Sequence, residues 1–175
     1  RIFLNGKQIF QMGPLDQGWW PDGLYTAPSD EALLFDIKAM KALEFNMIRK
    51  HIKIEPARWY MHCDREGILV WQDLPSPNLP SGYEDYAKKI FEDESKRIIT
   101  AFRNHPSIIQ WVVFNEGWGQ FDTERMTQIV IGEVGQSLVC CASGWVDAPI
   151  GDIKDSHSYP NPSCPLDETR AGVCG

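Results

Sequence analysis

The sequence lacks the features that mark zinc-binding, disulfide-rich and membrane-spanning proteins. Its five cysteines include no CxxC pair, so neither a structural zinc site nor a closed disulfide framework is predicted. Its histidines show no His-Glu-x-x-His spacing, which leaves metal ligation without support. Apolar stretches such as Ile68 to Trp71 and Trp111 to Phe114 fall far below the roughly 18 residues of a transmembrane helix. We expect no membrane span, no metal and no cofactor.

Basic residues are also few. The 17 Lys and Arg are outnumbered by 24 Asp and Glu, and the net charge is −7 at pH 7. No cluster of basic residues is long enough to follow a phosphate backbone, so nucleic acid and anionic membranes are not expected as partners. The 43% of hydrophobic residues is ordinary for a folded globular chain, and 175 residues fit a single domain.

Segments typical of strands and helices alternate along the chain. Asn5 and Gly6 accept the positive φ of a tight turn and predict a hairpin over 2–11. The segment 13–28 is interpreted as an aromatic-rich loop. Helices are predicted at 29–44, capped by Ser29, at 56–66, ended by Gly67, and at 83–104 and 123–134. Strands are predicted at 45–52, 68–71, 108–114, 138–142, 152–156 and 171–174.

This alternation indicates an α/β fold with parallel strands. Two architectures satisfy it, an open doubly wound sheet and a (β/α)8 TIM barrel, and the barrel typically needs about 250 residues. About seven strands occur in the right rhythm, so the chain fits a barrel only as an incomplete one. In both architectures the functional site lies at the carboxyl ends of the strands.

Charged, amide and aromatic side chains recur where the predicted strands end. One such residue alone is weak evidence, because an Asp there is commonly a helix cap and an Arg is commonly part of a surface ion pair. Their repetition at one edge indicates a site. The candidates from this position are Asp16, Arg49, His51, Gln72, Asp73, Asn115, Glu116, Trp145, His157 and Tyr159.

The most informative segment runs from Trp111 to Gln120, where an apolar strand ends in Asn115 and Glu116. A carboxylate at the end of a buried strand is costly unless it is paired or functional. One interpretation is that Glu116 forms a stabilising ion pair with Arg49 or Arg125. The other is that Glu116 is a general acid and base, with Asn115 holding a substrate hydroxyl. The residues alone leave both open.

Seven tryptophans in 175 residues is a high content. Core packing accounts for any single Trp, but several of these lie in or beside strand-end loops that are rich in Gly and Pro. Trp118 and Trp145 are two of them. Indoles in such loops are hard to bury and can stack on the apolar faces of sugar rings, so a carbohydrate is the predicted substrate.

The four histidines divide into two groups by position. His51 and His157 follow predicted strands, which fits hydrogen bonding to the substrate or to Glu116. His62 lies within a predicted helix and His105 precedes a proline, so both are interpreted as structural.

Six stretches of the sequence resemble the catalytic barrel of glycoside hydrolase family 2, the group of β-galactosidases, β-glucuronidases and β-mannosidases. They occur in the family's order and cover nearly the whole chain. The Asn-Glu pair that follows Asn-His-Pro-Ser-Ile-Ile is the most specific of them. The stretches are LNGK at 4–7, FNMIRKH at 45–51, GILVW at 67–71, NHPSII at 104–109, FNE at 114–116 and HSYP at 157–160.

The resemblance implies a retaining β-glycosidase on a TIM barrel. By that match Glu116 is the acid/base and Asn115 contacts the sugar 2-hydroxyl, while Arg49 and His51 line the site. The family's nucleophile is a second Glu that follows the seventh strand, which the segment 171–174 resembles. The nucleophile is therefore expected just beyond the end of this chain.

The family also carries a jelly-roll sugar-binding domain and an immunoglobulin-like domain before its barrel. We therefore expect residues 1–175 to be a partial barrel of a larger enzyme, inactive or nearly so alone. An open barrel exposes strand edges and apolar faces. Association with the remainder of the enzyme, or with a second copy, is the expected consequence.

Two further functions stay open from the residues. A non-catalytic carbohydrate-binding or structural module would keep the aromatic surface without turnover. An inverting hydrolase would use Glu116 with Asp73 or Asp155, at a carboxyl separation of about 6.5 to 9.5 Å instead of the 5 to 5.5 Å of a retaining enzyme.

Overall fold

A computed structural model describes residues 2–76, 85–161, 163 and, as backbone, 171–174. The strands are β1 Ile2–Leu4, β2 Lys7–Ile9, β3 Leu15–Asp16, β4 Met47–Lys50, β5 Leu69–Asp73, β6 Ile108–Asn115, β7 Leu138–Ser143, β8 Ile153–Ser156 and β9 Ala171–Cys174. The helices are α1 Asp30–Ala42, α2 Ala57–Glu66, α3 Asp85–Phe102 and α4 Thr123–Val134. The predicted helices and strands are confirmed, with bounds that differ by a few residues.

Strands β3 to β9 form one parallel sheet of seven strands, in which neighbours in space are neighbours in sequence. A doubly wound sheet reverses its strand order at a switch point, whereas a barrel adds each strand on the same side. The observed order therefore confirms the TIM barrel, incomplete and with seven of the eight strands that the closed fold needs.

The start of the barrel differs from the prediction. The segment 13–28 is not entirely loop, because β3 pairs there with β4, Leu15 opposite Arg49 and Asp16 opposite Lys50. A strand of two residues is too short to show a period of two in the sequence. The hairpin of β1 and β2 is confirmed but forms a separate sheet, with Ile2 opposite Ile9.

Local sequence signals set the helix ends. The Ser29 hydroxyl accepts a hydrogen bond from the Ala32 amide at 3.1 Å and caps α1. Gly67 ends α2 with φ +68°, and its N–H donates to the Cys63 carbonyl. None of the helices in the described ranges is long and apolar enough to cross a membrane.

Two apolar layers surround the sheet. The larger one packs the helices against the outer face of the strands and includes Ile37, Trp59, Ile99 and Val130. The smaller one joins Val112, Cys140 and Ile153 of three neighbouring strands, with the partly buried Ile2 and Leu138 against it. Cys140 and Cys141 are both buried, as their apolar surroundings in the sequence predict. These layers hold the carboxyl ends of the strands at one edge.

Candidate active site

Arg49 is the centre of a buried polar network at this edge. Its Nη2 donates to Asp73 Oδ2 and to Asn115 Oδ1, each at 2.8 Å, and its Nε donates to Asp73 Oδ1 at 3.1 Å. Burial disfavours the charged guanidinium, but the adjacent Asp73 carboxylate outweighs burial and holds the pKa of Arg49 above its usual range. The ends of β4, β5 and β6 are thereby joined by one guanidinium.

His51 follows β4 and lies beside the same network. Burial is the main reason that its pKa is lowered, with the positive charge of Arg49 acting in the same direction and Asp73 opposing both. Its Nδ1 lies 3.3 Å from Gln17 Nε2 in the loop after β3. His51 is therefore a neutral hydrogen-bonding group at neutral pH.

Glu116 occupies the first position after β6 and has a positive φ of +50°, which is uncommon for a residue with a side chain. Its amide donates to the Ser143 carbonyl at 2.7 Å, which ties the turn to the end of β7. About 21% of its side chain is exposed. The backbone conformation is held by these contacts and directs a carboxylate to the strand-end face.

His157, which follows β8, hydrogen-bonds this carboxylate. Its Nδ1 lies 2.8 Å from Glu116 Oε1, and its Nε2 lies 2.9 Å from Ser143 Oγ and 3.5 Å from Asp155 Oδ2. The hydrogen bond with Asp155 is the main reason that the pKa of His157 is raised, with burial opposing it and Glu116 adding to it. A positively charged imidazole between two carboxylates is favoured by this arrangement.

Asp155 completes this group from the end of β8. Burial acts to raise its pKa, but the hydrogen bonds from His157 and Ser143 outweigh burial, and the pKa of Asp155 is lowered. The Ser143 hydroxyl donates to Asp155 Oδ2. Ser143 was not predicted as a site residue, because a Ser at the end of an apolar strand carries no distinctive signal in the sequence.

Two aromatic rings, Trp145 and Tyr159, lie beside the imidazole of His157. Trp145 and Tyr159 lie 6.5 Å from each other between centroids, and each lies about 6.5 Å from the imidazole with nearly perpendicular planes. Trp145 is 59% exposed and Tyr159 is exposed as well. Trp118 is also exposed, in the turn after β6, where its amide donates to the Asn115 carbonyl at 3.1 Å.

A cavity of about 280 Å³ opens beside these groups. It lies within the curve of the sheet, between the first strands and the last ones. Its lining includes Met47, Arg49, Trp71, Asp155, His157 and Tyr159. The lining combines an apolar wall with charged and hydrogen-bonding groups, as in sites for small polar ligands.

Asp16 lies in a different cluster. Its Oδ2 accepts from Lys50 Nζ at 2.6 Å and its Oδ1 accepts from the Gly18 amide at 2.7 Å. The buried Lys50 also donates to Glu55 at 2.9 Å, and Lys53 contacts the same Glu55 at 3.0 Å. Successive side chains of a strand point to opposite faces, so Arg49 and Lys50 serve separate networks. The sequence analysis did not identify Lys50, Lys53 or Glu55.

The expected ion pair between Glu116 and an arginine is wrong. Arg49 is engaged by Asp73, and Arg125 donates to Glu92 at 2.6 Å on the helical surface. Glu116 contacts His157 instead, which is one of the two partners that the position of His157 after a strand predicted.

The two histidines that were interpreted as structural each contact an Asp away from the strand ends. His62 Nε2 lies 3.0 Å from Asp30 Oδ2, and His105 Nδ1 lies 2.6 Å from Asp64 Oδ2. Both pairs connect helices or loops on the outside of the barrel. Within the described residues, no group of three or more His, Cys, Asp or Glu side chains could hold a metal ion.

Comparisons with known proteins agree with this geometry. The family model described as the TIM barrel domain of glycosyl hydrolases family 2 matches residues 2–154. A β-galactosidase of Lactococcus lactis subsp. lactis is 31% identical over 127 residues, which cover 68% of this chain and 12% of that protein. Mannosylglycoprotein endo-β-mannosidase of Lilium longiflorum is 34% identical over 132 residues, which cover 66% of this chain and 13% of that protein.

Among solved structures, a family 2 β-galacturonidase from Eisenbergiella tayi bound to galacturonate matches with a TM-score of 0.77. The match has 22% sequence identity and covers 90% of this chain and 30% of that chain. The chain thus spans a small part of the length of its relatives. The family match extends over most of the sequence, and the chain belongs to the TIM barrel domain of glycoside hydrolase family 2.

Proposed function

We propose that this chain supplies the acid/base half of the active site of a retaining β-glycosidase, with Glu116 as the acid/base. The observation that carries the proposal is the Glu116 carboxylate, hydrogen-bonded by His157 at 2.8 Å, at the carboxyl ends of the barrel strands. The nucleophile belongs to a segment outside residues 1–175, and the complete enzyme is longer than this chain.

The proposed reaction proceeds in two steps. Glu116 first donates a proton to the glycosidic oxygen, while the nucleophilic carboxylate bonds to the anomeric carbon and the carbon–oxygen bond to the leaving group breaks. The Glu116 carboxylate then takes a proton from water, whose oxygen displaces the enzyme carboxylate from the sugar. The sugar leaves with its original β configuration, and Glu116 is again protonated.

Asn115 is proposed to bind a sugar hydroxyl. Its Oδ1 accepts from Arg49 at 2.8 Å, so the amide nitrogen is turned away from the guanidinium. The amide nitrogen of Asn115 can donate two hydrogen bonds, which suits it to a sugar hydroxyl. This orientation supports the 2-hydroxyl contact that the family resemblance implies.

The substrate is proposed to be a β-linked sugar held by the exposed rings and the cavity. Tyr159, Trp145 and Trp118 offer apolar surface, and His157 and Arg49 offer hydrogen bonds and charge in the lining of the cavity. The relatives are named for different sugars, and the particular sugar is left to experiment. The buried Asp73 and the half-buried Asp16 hold Arg49 and Lys50, which supports structural roles for these two carboxylates.

The inverting alternative has less support from the contacts. An inverting enzyme needs a second carboxylate that is free to activate water. Both oxygens of Asp73 accept hydrogen bonds from Arg49, and one oxygen of Asp155 contacts Ser143 and His157.

The unpaired edges of the described sheet favour the binding of a further segment. β3 and β9 each pair with a single neighbour in this sheet, and unpaired strand edges bind other strands. We propose that the remainder of the enzyme, or a second copy of the chain, covers them.

Hydrolysis of nitrophenyl β-glycosides tests the proposed function. The panel is applied to this chain and to an extended chain, which continues along the gene to the roughly 250 residues of a complete barrel. Glu116→Gln is expected to lower kcat of the extended chain about 100- to 10,000-fold, because the amide can neither protonate a leaving group nor take the proton of the attacking water. Glu94→Gln is the control, since that carboxylate lies exposed on α3.

The outcomes separate the functions. Activity in the extended chain that Glu116→Gln removes and Glu94→Gln preserves supports the glycosidase. Sugar binding without turnover in both chains would establish the non-catalytic module instead. A gene that ends at Gly175 would point the same way, because no second carboxylate would then follow β9.

Trp145→Ala tests the proposed sugar contact. We expect KM to rise about fivefold with a smaller change in kcat, because a stacking contact is worth about 1 kcal/mol. Phe35→Ala on α1 is the matched control, since Phe35 is 69% exposed and lies away from the strand ends. Equal KM values for the two variants would exclude Trp145 from the sugar site.

A further inference from the structure

We propose that His157 is a positioning residue for Glu116, which holds one carboxylate oxygen so that the other faces the glycosidic bond. This inference rests on the proposed function. Of the two partners expected for His157 from the sequence, the substrate and Glu116, it takes Glu116 and gives that contact a role in the reaction.

The contacts around Ser143 assign one ring hydrogen of His157. The Ser143 hydroxyl donates its hydrogen to Asp155 Oδ2, so its oxygen can only accept from the imidazole. His157 Nε2 lies 2.9 Å from that oxygen, much closer than its 3.4 Å contact with Arg49 Nη1, and the shorter contact assigns a hydrogen to Nε2. The buried Ser143 and Asp155 fix the Nε2 side of the ring, which leaves Nδ1 for Glu116.

The Nδ1 side has two possible arrangements. A neutral imidazole with hydrogen on Nε2 has a lone pair on Nδ1, and it would draw the acid proton of Glu116 onto Oε1 and away from a substrate. A protonated imidazole donates from Nδ1 to Oε1 across the 2.8 Å contact, which leaves the acid proton on Oε2. The protonated ring is therefore the productive form.

The charges that face His157 favour that form. Asp155 on β8 and Glu116 after β6 contribute negative charge, and Arg49 on β4 contributes positive charge at 3.4 Å from Nε2. The aromatic neighbours Trp145 and Tyr159 close the outer side. Asp155 is the main reason that the pKa of His157 is raised, so the cation persists to higher pH than in a free histidine.

A donated hydrogen bond also acts on the reaction itself. As Glu116 releases its proton, negative charge develops on its carboxylate. The hydrogen bond from protonated His157 strengthens with that charge and stabilises the transition state. The ring is held in place because its side chain is only 7% exposed, so it need not reorganise during the step.

Leaving-group dependence separates this role from a structural one. A phenyl glycoside needs protonation of its leaving group, whereas a 2,4-dinitrophenyl glycoside does not. In the extended chain, His157→Leu is expected to lower kcat/KM for the phenyl glycoside about 10- to 100-fold more than for the dinitrophenyl glycoside. His157→Asn places an amide where Nδ1 stands, and we expect it to restore most of the activity.

The results discriminate between the two proposals. Equal losses on both substrates, or no rescue by His157→Asn, would overturn the positioning role while the loss in Glu116→Gln keeps the glycosidase. If Glu116→Gln itself shows no preference for the better leaving group, the proposed function fails instead.

Folding stability gives a readout that is independent of turnover. A raised pKa means that His157 contributes stability fully below its unfolded pKa of about 6.5, and that this contribution is lost as pH rises through the folded pKa. The Tm difference between wild type and His157→Asn should therefore be larger at pH 6 than at pH 9. A constant difference would show that the ring is not held as a cation.

Discussion

Arg49→Met is expected to lower the free energy of unfolding by about 3–5 kcal/mol, because removal of one partner leaves a buried charge uncompensated. Asp73 is almost fully buried and both of its oxygens accept from the guanidinium. Asn115 would lose the bond that orients its amide. Chemical denaturation of this chain at pH 7 measures the first effect, and kcat/KM of the extended chain measures the second.

Two controls distinguish the stability lost by breaking the buried Arg49–Asp73 pair from the stability lost by removing any arginine. Arg103→Met removes a guanidinium that lies 4.0 Å from Glu133 on the surface, and pairs of that kind are worth at most about 1 kcal/mol. The double variant Arg49→Met/Asp73→Leu removes both charges and should recover much of the lost stability. Similar small losses in Arg49→Met and Arg103→Met would show that the buried network is not a stabilising one.

Much of the fold could be predicted because its signals are local. α1 has a capping Ser29 and a first turn with Asp30 and Glu31, and these residues determine its start wherever the helix packs. β6 is an apolar run of the kind that a buried parallel strand requires. β3 was not predicted, because two residues show no periodicity and the strand exists through its pairing with β4.

The candidate site also has one part that could be predicted from the sequence and one part that could not. Its edge could be located because parallel strands bring their carboxyl ends together, and Arg49, Glu116 and His157 are brought to it. The contact of His157 with Glu116 was one of two predicted alternatives, whereas the contacts of Arg49 with Asp73 and Asn115 could not be predicted, since each joins residues far apart in the chain. Asp16 was predicted as a site residue from its position alone, and that position does not predict its ion pair with Lys50.

The two networks around β4 explain how one strand serves stability and function together. Arg49 faces the barrel interior and orients Asn115, whereas Lys50 faces the helices, where its Nζ lies 4.4 Å from the Trp59 ring centroid and binds two carboxylates. Each charge is paired within its own layer, which offsets the desolvation cost of burial. The rigid strand thus carries the polar groups that a preorganised site needs.

Gly144→Ala is expected to lower kcat/KM of the extended chain about 10-fold, because the catalytic groups must shift by a few tenths of an ångström and a displacement of roughly 1 Å costs about 100-fold. Gly144 follows β7, and an added Cβ would lie 3.0 Å from Glu116 Cγ and 3.1 Å from His157 Nδ1. Both side chains would have to move, and the 2.8 Å hydrogen bond between them would be disturbed. The φ of +104° adds a backbone cost of about 1–3 kcal/mol.

Alanine variants of two other glycines are controls that distinguish the steric clash at Gly144 from its backbone strain. Gly135 also has a positive φ, of +70°, but a Cβ there would meet nothing within 4 Å, so Gly135→Ala should lose stability and keep its activity. Gly132 lies in α4 with open space around it, and Gly132→Ala should gain about 0.5–1 kcal/mol from helix propensity. If Gly144→Ala were as active as Gly135→Ala, the space beside Glu116 and His157 would not be needed for catalysis. A loss confined to Gly144→Ala would instead show that the absence of a side chain after β7 allows the acid/base and its histidine to meet.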